Sequence, residues 1–197
     1  MTKVTGTIIQ LGATLDMEFI VDEDITLRLL ATSDAETLFE LVDQNRSYLR
    51  QWLPWLDHST TIEHSRIFIN SIHEQLLSKK GFACGVFVMD RLVGMCGFHE
   101  IDNENQTVVI GYWLSEDHQG RGIISRCTNF FINYAFDELG LQKVFIPVAE
   151  QNTKSRAVCE RLGLTSEEIQ VNAENLYGNL VNHVRYAMTK DKRLKSP

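Results

Sequence analysis

Polar and apolar residues alternate through Ile25-Thr26-Leu27-Arg28-Leu29-Leu30, which predicts a first strand. Ser33-x-x-Glu36 behind it reads as a capping box, with Leu38, Leu41, Val42 and Leu49 on one helical stripe. Pro54 interrupts the pattern, and Thr60-x-x-Glu63 predicts a second helix carrying Phe68, Ile69, Ile72 and Leu76 on its apolar side. Two apolar runs, 82–89 and 92–99, flank Asp90-Arg91 and predict a hairpin. Residues 108–114 form a fourth apolar strand, followed by a polar elbow and a glycine-opened helix that Gly140 closes as its C′ residue. A fifth strand is predicted over 144–149 and a short helix over 152–162, ended by Gly163. The last hairpin, 169–174 with 181–189, turns at Tyr177-Gly178-Asn179. Strands and helices in this order predict a mixed α/β (α+β) layer fold.

Residues 1–22 carry little pattern beyond a short β-like Thr7-Ile8-Ile9. They read as an N-terminal arm, or as a linker to an upstream fused domain, ahead of a body over 23–190 and a tail over 191–197. The sequence shows no repeat and no low-complexity segment.

At 197 residues and 44% hydrophobic, the chain is long enough for one sizeable core. A net charge of −7 opposes non-specific binding to nucleic acid or to an anionic membrane, and weakly suits a cationic acceptor such as an amine. Cys84, Cys96, Cys127 and Cys159 show no C-x-x-C spacing and sit in apolar runs, so they read as reduced, buried thiols of a cytoplasmic protein. The six histidines lack ligand spacing, so no metal is expected. No apolar run of membrane-spanning length and no signal-peptide pattern is present.

The stretch VVIGYWLSEDHQGRGIISR, residues 108–126, carries the most specific chemistry. A strand that passes through Gly120-Arg121-Gly122 into a helix N-terminus makes an anion site. The first turn has unpaired N–H groups and the positive end of the dipole, and glycine lets a phosphate approach the backbone. The glycines half-match a dinucleotide fingerprint, but Ser125 stands in place of the third glycine and no acidic ribose ligand follows at the right distance. No Lys-Ser/Thr pair follows either, which excludes a P-loop. Pro147 adds a separate hint: a proline inside a strand cannot donate to the ladder, so pairing must fail on one side of it.

Tyr112-Trp113-Leu114, the elbow ending Gln119-Gly120-Arg121-Gly122-Ile123, and then Asn152-Thr153-Lys154-Ser155 leading to Arg161-Leu162-Gly163-Leu164 resemble the GNAT superfamily of acetyl-CoA-dependent N-acetyltransferases, in its RimJ/RimL-like branch. The resemblance runs over residues 25–189. It departs at Asp117, where the superfamily pattern wants Gln or Arg. What the resemblance implies is a mixed, mostly antiparallel central sheet of about seven strands flanked by helices, splayed between the fourth and fifth, with the pantetheine arm of acetyl-CoA in the gap. It also implies a diphosphate cradle at Gln119, Gly120, Arg121, Gly122, Ile123 and Ile124, and an Asn152 that hydrogen-bonds the cofactor arm.

Acetyl transfer from a thioester to an amine needs a neutral amine, a donor for the developing oxyanion, a proton for the thiolate, and alignment. The oxyanion donor falls to a backbone N–H near Trp113 and Leu114. Ser155 alone reads as a first-turn serine; the resemblance places it beside the CoA sulfur as proton donor. Glu174, in the last hairpin, is the candidate base. Trp52, Trp55, Phe68 and His99 are candidate acceptor contacts, with Trp55 and Phe68 able to form an aromatic slot for a flat base. With no cysteine at the glycine loop, direct attack in a ternary complex is expected. An α-amine, pKa about 8, needs less help to deprotonate than a lysine near 10.4. The acceptor is therefore expected to be an α-amine, of a ribosomal-protein N-terminus or of an aminoacyl-nucleotide antibiotic of the microcin C type, as in self-immunity. A non-catalytic acyl-CoA-binding sensor is the rival reading, and the presence of both Ser155 and Glu174 speaks for the enzyme.

Overall fold

A computed structural model describes residues 9–11 and 14–194. Its main sheet has eight strands in the order β3-β4-β5-β6-β7-β8-β10-β9. These are β3 (Glu18–Ile20), β4 (Ile25–Arg28), β5 (Phe82–Val88), β6 (Arg91–Asp102), β7 (Thr107–Leu114), β8 (Lys143–Ala149), β9 (Thr165–Leu176) and β10 (Asn179–Thr189). All neighbours run antiparallel except β7 and β8. Two short strands, β1 (Ile9–Leu11) and β2 (Thr14–Asp16), form a hairpin of their own. The mixed, mostly antiparallel sheet is as expected, with one edge strand more than the sequence pattern predicts.

That extra strand comes from within residues 1–22, where the sequence carries little pattern. Glu18–Ile20 pairs with β4, and Met17 and Phe19 are buried in the core. Phe19 meets the rings of Phe130 and Tyr134 on α4 (Ile123–Asp137), each at 5.2 Å between centroids. The burial of these two side chains holds the edge strand in place. Of the predicted β-like Thr7-Ile8-Ile9, Thr7 and Ile8 lie outside the described residues.

The core between α4 and the sheet is aromatic: Phe82 of β5 and Phe98 of β6 stand against Phe131 at 5.9 and 5.0 Å. Helices α1 (Ala35–Gln44) and α3 (Ile62–Leu77) pack on each other and on the sheet, joined through a short α2 (Arg46–Leu49) and the 3-10 turn Pro54–His58. Pro54 takes the first position of that turn, where its missing N–H costs nothing.

Two helix starts differ in detail from the sequence pattern. The Ser33/Glu36 capping box does not form; instead the Asp34 carboxylate accepts from the Ala31 N–H at 2.7 Å and pairs with Arg28 at 3.0 Å. An aspartate bound to a guanidinium and an amide outcompetes a neutral serine hydroxyl for that corner. At α3 the cap is Thr61, one residue later than predicted, accepting from His64 N–H at 3.3 Å. No helix among the described residues is long and apolar enough to cross a membrane.

Candidate active site

The two parallel strands at the sheet's centre separate. β7 and β8 pair only through Thr107↔Lys143, Val108↔Val144 and Val109↔Phe145. β8 keeps its partner on the other side, through Pro147 to Ala149 against β10. Pairing thus fails on the β7 side, one step before the proline. The backbone of Gly111–Leu114 that faces away from β6, and that of 146–149 opposite, line a cleft of about 950 Å³. Amides at such an edge need a partner from outside the sheet.

At the end of β7 the chain turns through Glu116–His118, held by His118 Nδ1 against Ser115 Oγ at 2.8 Å and by Glu116 N–H on the Asn45 side chain at 2.9 Å. Gly120 and Gly122 follow with φ of +74° and +70°, a backbone that side chains rarely adopt, and a Cβ built on either meets open space. The first bond of α4 runs from Arg126 N–H to the Gly122 carbonyl at 3.1 Å, so the amides of Ile123, Ile124 and Ser125 have no partner within the helix. Glycine backbone, open space and free helix amides converge on one point, which suits a phosphate.

The short helix α5 (Thr153–Arg161) closes the other side. Asn152 Oδ1 caps it by accepting from Ser155 N–H at 3.1 Å, a bond that does not engage the Asn152 amide NH₂. The Ser155 hydroxyl is 3.0 Å from the Tyr112 phenol. Burial raises the Tyr112 pKa well above its usual value, so the phenol stays protonated. Lys154 reaches back across the cleft to Gln119 Oε1 at 2.9 Å, its ammonium 5.7 Å from the Tyr48 ring centre.

On the sheet's far side Glu174 of β9 lines the cleft beside His183 of β10, with Oε2 3.3 Å from Nε2. The hairpin tip carrying them is fastened over the loop after α2. Tyr177 Oη donates to the Leu53 carbonyl at 2.6 Å, and the Arg50 guanidinium lies 3.6 Å from the Tyr177 ring centre.

Most of the expected site residues come together here. Trp52, His99, Trp113, Leu114, Gln119, Gly120, Gly122, Ile123, Ile124, Asn152, Ser155 and Glu174 all line the cleft. Arg121 does not; its guanidinium turns back to the Asp117 carbonyl at 3.1 Å. Trp55 and Phe68 also lie outside the lining, both partly exposed, and Trp55 packs on Trp113 at 6.4 Å between ring centres. Sequence reasoning missed Tyr112 as a side chain, Lys154 and His183. Alternation along β7 marks Tyr112 as facing one side of a strand, but not that this side opens onto a gap.

Cys159 Sγ touches this arrangement, 3.8 Å from the Tyr112 phenol, but as a neutral thiol. Burial pushes Cys159 and Cys127 up to about 12 and raises Cys84 and Cys96 well above the usual thiol value, so none holds a reactive thiolate at neutral pH.

Comparison with known proteins is in accord with this geometry. The profile of the family described as "Acetyltransferase (GNAT) domain" matches residues 24–165. The Bacillus subtilis (strain 168) protein YdaF, whose name is a provisional ribosomal N-acetyltransferase assignment, is 37% identical over 86% of this chain and 93% of its own. The ribosomal-protein-serine acetyltransferase of Escherichia coli (strain K12) is 30% identical over 82% of this chain and 96% of its own. Among solved structures, RimL, the ribosomal L7/L12 alpha-N-protein acetyltransferase, in complex with coenzyme A superposes with a TM-score of 0.84 at 27% identity, covering 87% of this chain and 97% of that one. The microcin C7 self-immunity acetyltransferase MccE, in complex with acetyl-CoA and AMP, gives 0.82 at 28% identity, covering 86% and 94%.

Proposed function

We propose that this chain, which belongs to the GNAT acetyltransferase family and to its RimJ/RimL-like branch, transfers the acetyl group of its co-substrate acetyl-CoA directly to a primary α-amine. One observation carries the reading: β7 and β8 part after Val109, and the opened cleft is lined by both Ser155 and Glu174. The diphosphate sits at the Gly120–Gly122 turn and the free amides of α4, with Gln119 beside it. The pantetheine arm takes the place of the missing ladder between β7 and β8, and the Asn152 NH₂ serves one of its carbonyls. The thioester oxygen meets a backbone N–H near Trp113 and Leu114, where charge develops in the transition state. Glu174 serves the deprotonation of the incoming amine. Ser155, hydrogen-bonded to a protonated Tyr112, passes a proton to the departing sulfur. The unreactive thiols favour a ternary complex over an acetyl-enzyme.

The relatives named for ribosomal proteins make a protein N-terminus the first acceptor to test. A second reading has its own observation. Trp55 and Phe68 are large aromatic side chains left partly exposed, and the similar MccE was crystallised with AMP. Such rings suit a base of an aminoacyl-nucleotide. A thiol-release screen tests the proposal and separates the two acceptors. N-terminal peptides of ribosomal proteins are run beside aminoacyl-sulfamoyl adenosines, and acetyl-CoA binding is followed by calorimetry. Release with at least one α-amine is the expected result; binding without release with any amine would refute it.

A further inference from the structure

We infer that His183 is the group that takes the proton from the attacking amine, and that Glu174 acts through it. The inference deepens the transferase reading above and rests on it. Its basis is a distortion of the last hairpin. The β9–β10 register steps from Val181↔Glu174 to His183↔Gln170, so three residues of β9 (171–173) are taken up opposite one residue of β10. Asn172 sits in that bulge with φ of +52°, and its N–H is held by the Asn182 side chain at 3.1 Å. Bulges of this kind re-aim side chains, and this one leaves Glu174 Oε2 3.3 Å from His183 Nε2, both on the cleft wall.

The contact sets the tautomer. A carboxylate at Nε2 favours the proton there, which makes Nδ1 the basic nitrogen. Nδ1 has no partner among the described residues. His183 also stands at the end of the opened strand pair, directly opposite Ala149 of β8. A free imidazole is roughly a hundredfold closer in basicity to an α-amine than a free carboxylate is. A carboxylate serves better at the back of the ring, against the imidazolium that forms.

The proton balance is complete with the groups present. The α-ammonium gives its first proton to Nδ1, and the imidazolium later returns it to solvent. The neutral amine attacks the thioester carbon, the C–N bond forms, the C–S bond breaks, and the nitrogen's second proton passes to solvent, which restores the proton that Ser155 gives to the sulfur. The thiolate takes a proton through Ser155 and departs as the thiol. Around His183, β9 presents Glu174 and Gln170, while Glu150, in the turn just past β8, accepts from the Asn182 side-chain amide at 3.1 Å. The other ionisable groups of the cleft are Tyr48, His99, Tyr112, His118, Lys154 and Arg161.

The test is the pH dependence of CoA release by the wild type and by His183→Asn, with acetyl-CoA affinity measured on both. Asparagine keeps a donor for Glu174 but cannot accept the proton. The expected result is unchanged acetyl-CoA affinity and a kcat lower by about 100-fold near pH 7. By about pH 9.5 the deficit should shrink below about fivefold, because the amine is then already neutral. A deficit that is absent, or constant at every pH, overturns the inference and leaves the transferase reading standing. A wild type that releases no CoA with any α-amine overturns both. Should His183→Asn lose acetyl-CoA binding, the same profile is read on His183→Gln and Glu174→Gln. Their deficits must also shrink as pH rises, and flat deficits overturn the inference.

Discussion

The Tyr112 phenolic oxygen and the Ser155 hydroxyl lie 3.0 Å apart, joining the opened strand β7 to the first turn of α5. The bond spans the cleft where the cofactor sulfur is proposed to sit, and burial keeps the phenol in its protonated form. Ser155→Ala is therefore expected to lower kcat by about 100-fold with acetyl-CoA affinity retained. Tyr112→Phe, which removes only the partner, should cost about tenfold, equivalent to about 1.4 kcal/mol. Steady-state thiol release beside calorimetry checks both. Equal rates in all three proteins would remove the pair from the mechanism.

Gly111 is the seat of the His99 ring. A Cβ built on Gly111 would stand 1.9 Å from His99 Nε2, a distance no packing tolerates. Gly111→Ala must displace the imidazole from the cleft wall, at about 1–3 kcal/mol of stability. Combining it with His99→Ala should recover most of that loss, a coupling that chemical denaturation of the two single variants and the double variant would measure. Additive losses would show that the clash is relieved elsewhere.

How far this site was legible from residues alone depends on what each signal reports. The Gly120-Arg121-Gly122 turn was legible because glycines at positive φ beside a helix start leave a local mark. Pro147 was legible for the same reason, since one missing N–H announces a failed ladder. Glu18–Ile20 was not, because three residues are too few to show a period, and only Phe19 packing on α4 makes them a strand. His183 sits in a strand whose alternation is ordinary; its importance comes from a bulge on the neighbouring strand. Trp55 and Phe68 read from the sequence as candidate acceptor contacts, but the structure puts them outside the cleft lining, with Trp55 leaning on Trp113.

Trp55 separates the two acceptor classes. If a nucleotide acceptor stacks there, Trp55→Ala should weaken it by about 1–3 kcal/mol, or roughly 5- to 150-fold in KM. Acetyl-CoA affinity should stay unchanged. A parallel loss of both would assign Trp55 to packing against Trp113.

The cleft histidines set a pH signature for stability. Desolvation lowers the His99 pKa, as it does that of His118, where Arg121 and Arg91 add to the effect. A histidine depressed in the folded state binds its proton more readily when unfolded. Its contribution is whole above the unfolded value of about 6.5 and is lost as pH falls through the folded one. Thermal stability should thus decline on acidification below about pH 6.5, and His99→Gln should flatten part of that decline. A His99→Gln protein with an unchanged slope would show that other groups dominate.

The central claim is that one cleft passes an acetyl group straight from sulfur to an α-nitrogen. Mass spectrometry after a reaction with isotope-labelled acetyl-CoA measures this most directly. The acceptors are a lysine-containing ribosomal N-terminal peptide, the same peptide with its α-amine blocked, and an aminoacyl-sulfamoyl adenosine. The account predicts label on the α-nitrogen of at least one free acceptor, none on the blocked peptide, and none left on the protein when acceptor is withheld. Label on the lysine of the blocked peptide, or a stable acetyl-protein, would contradict it.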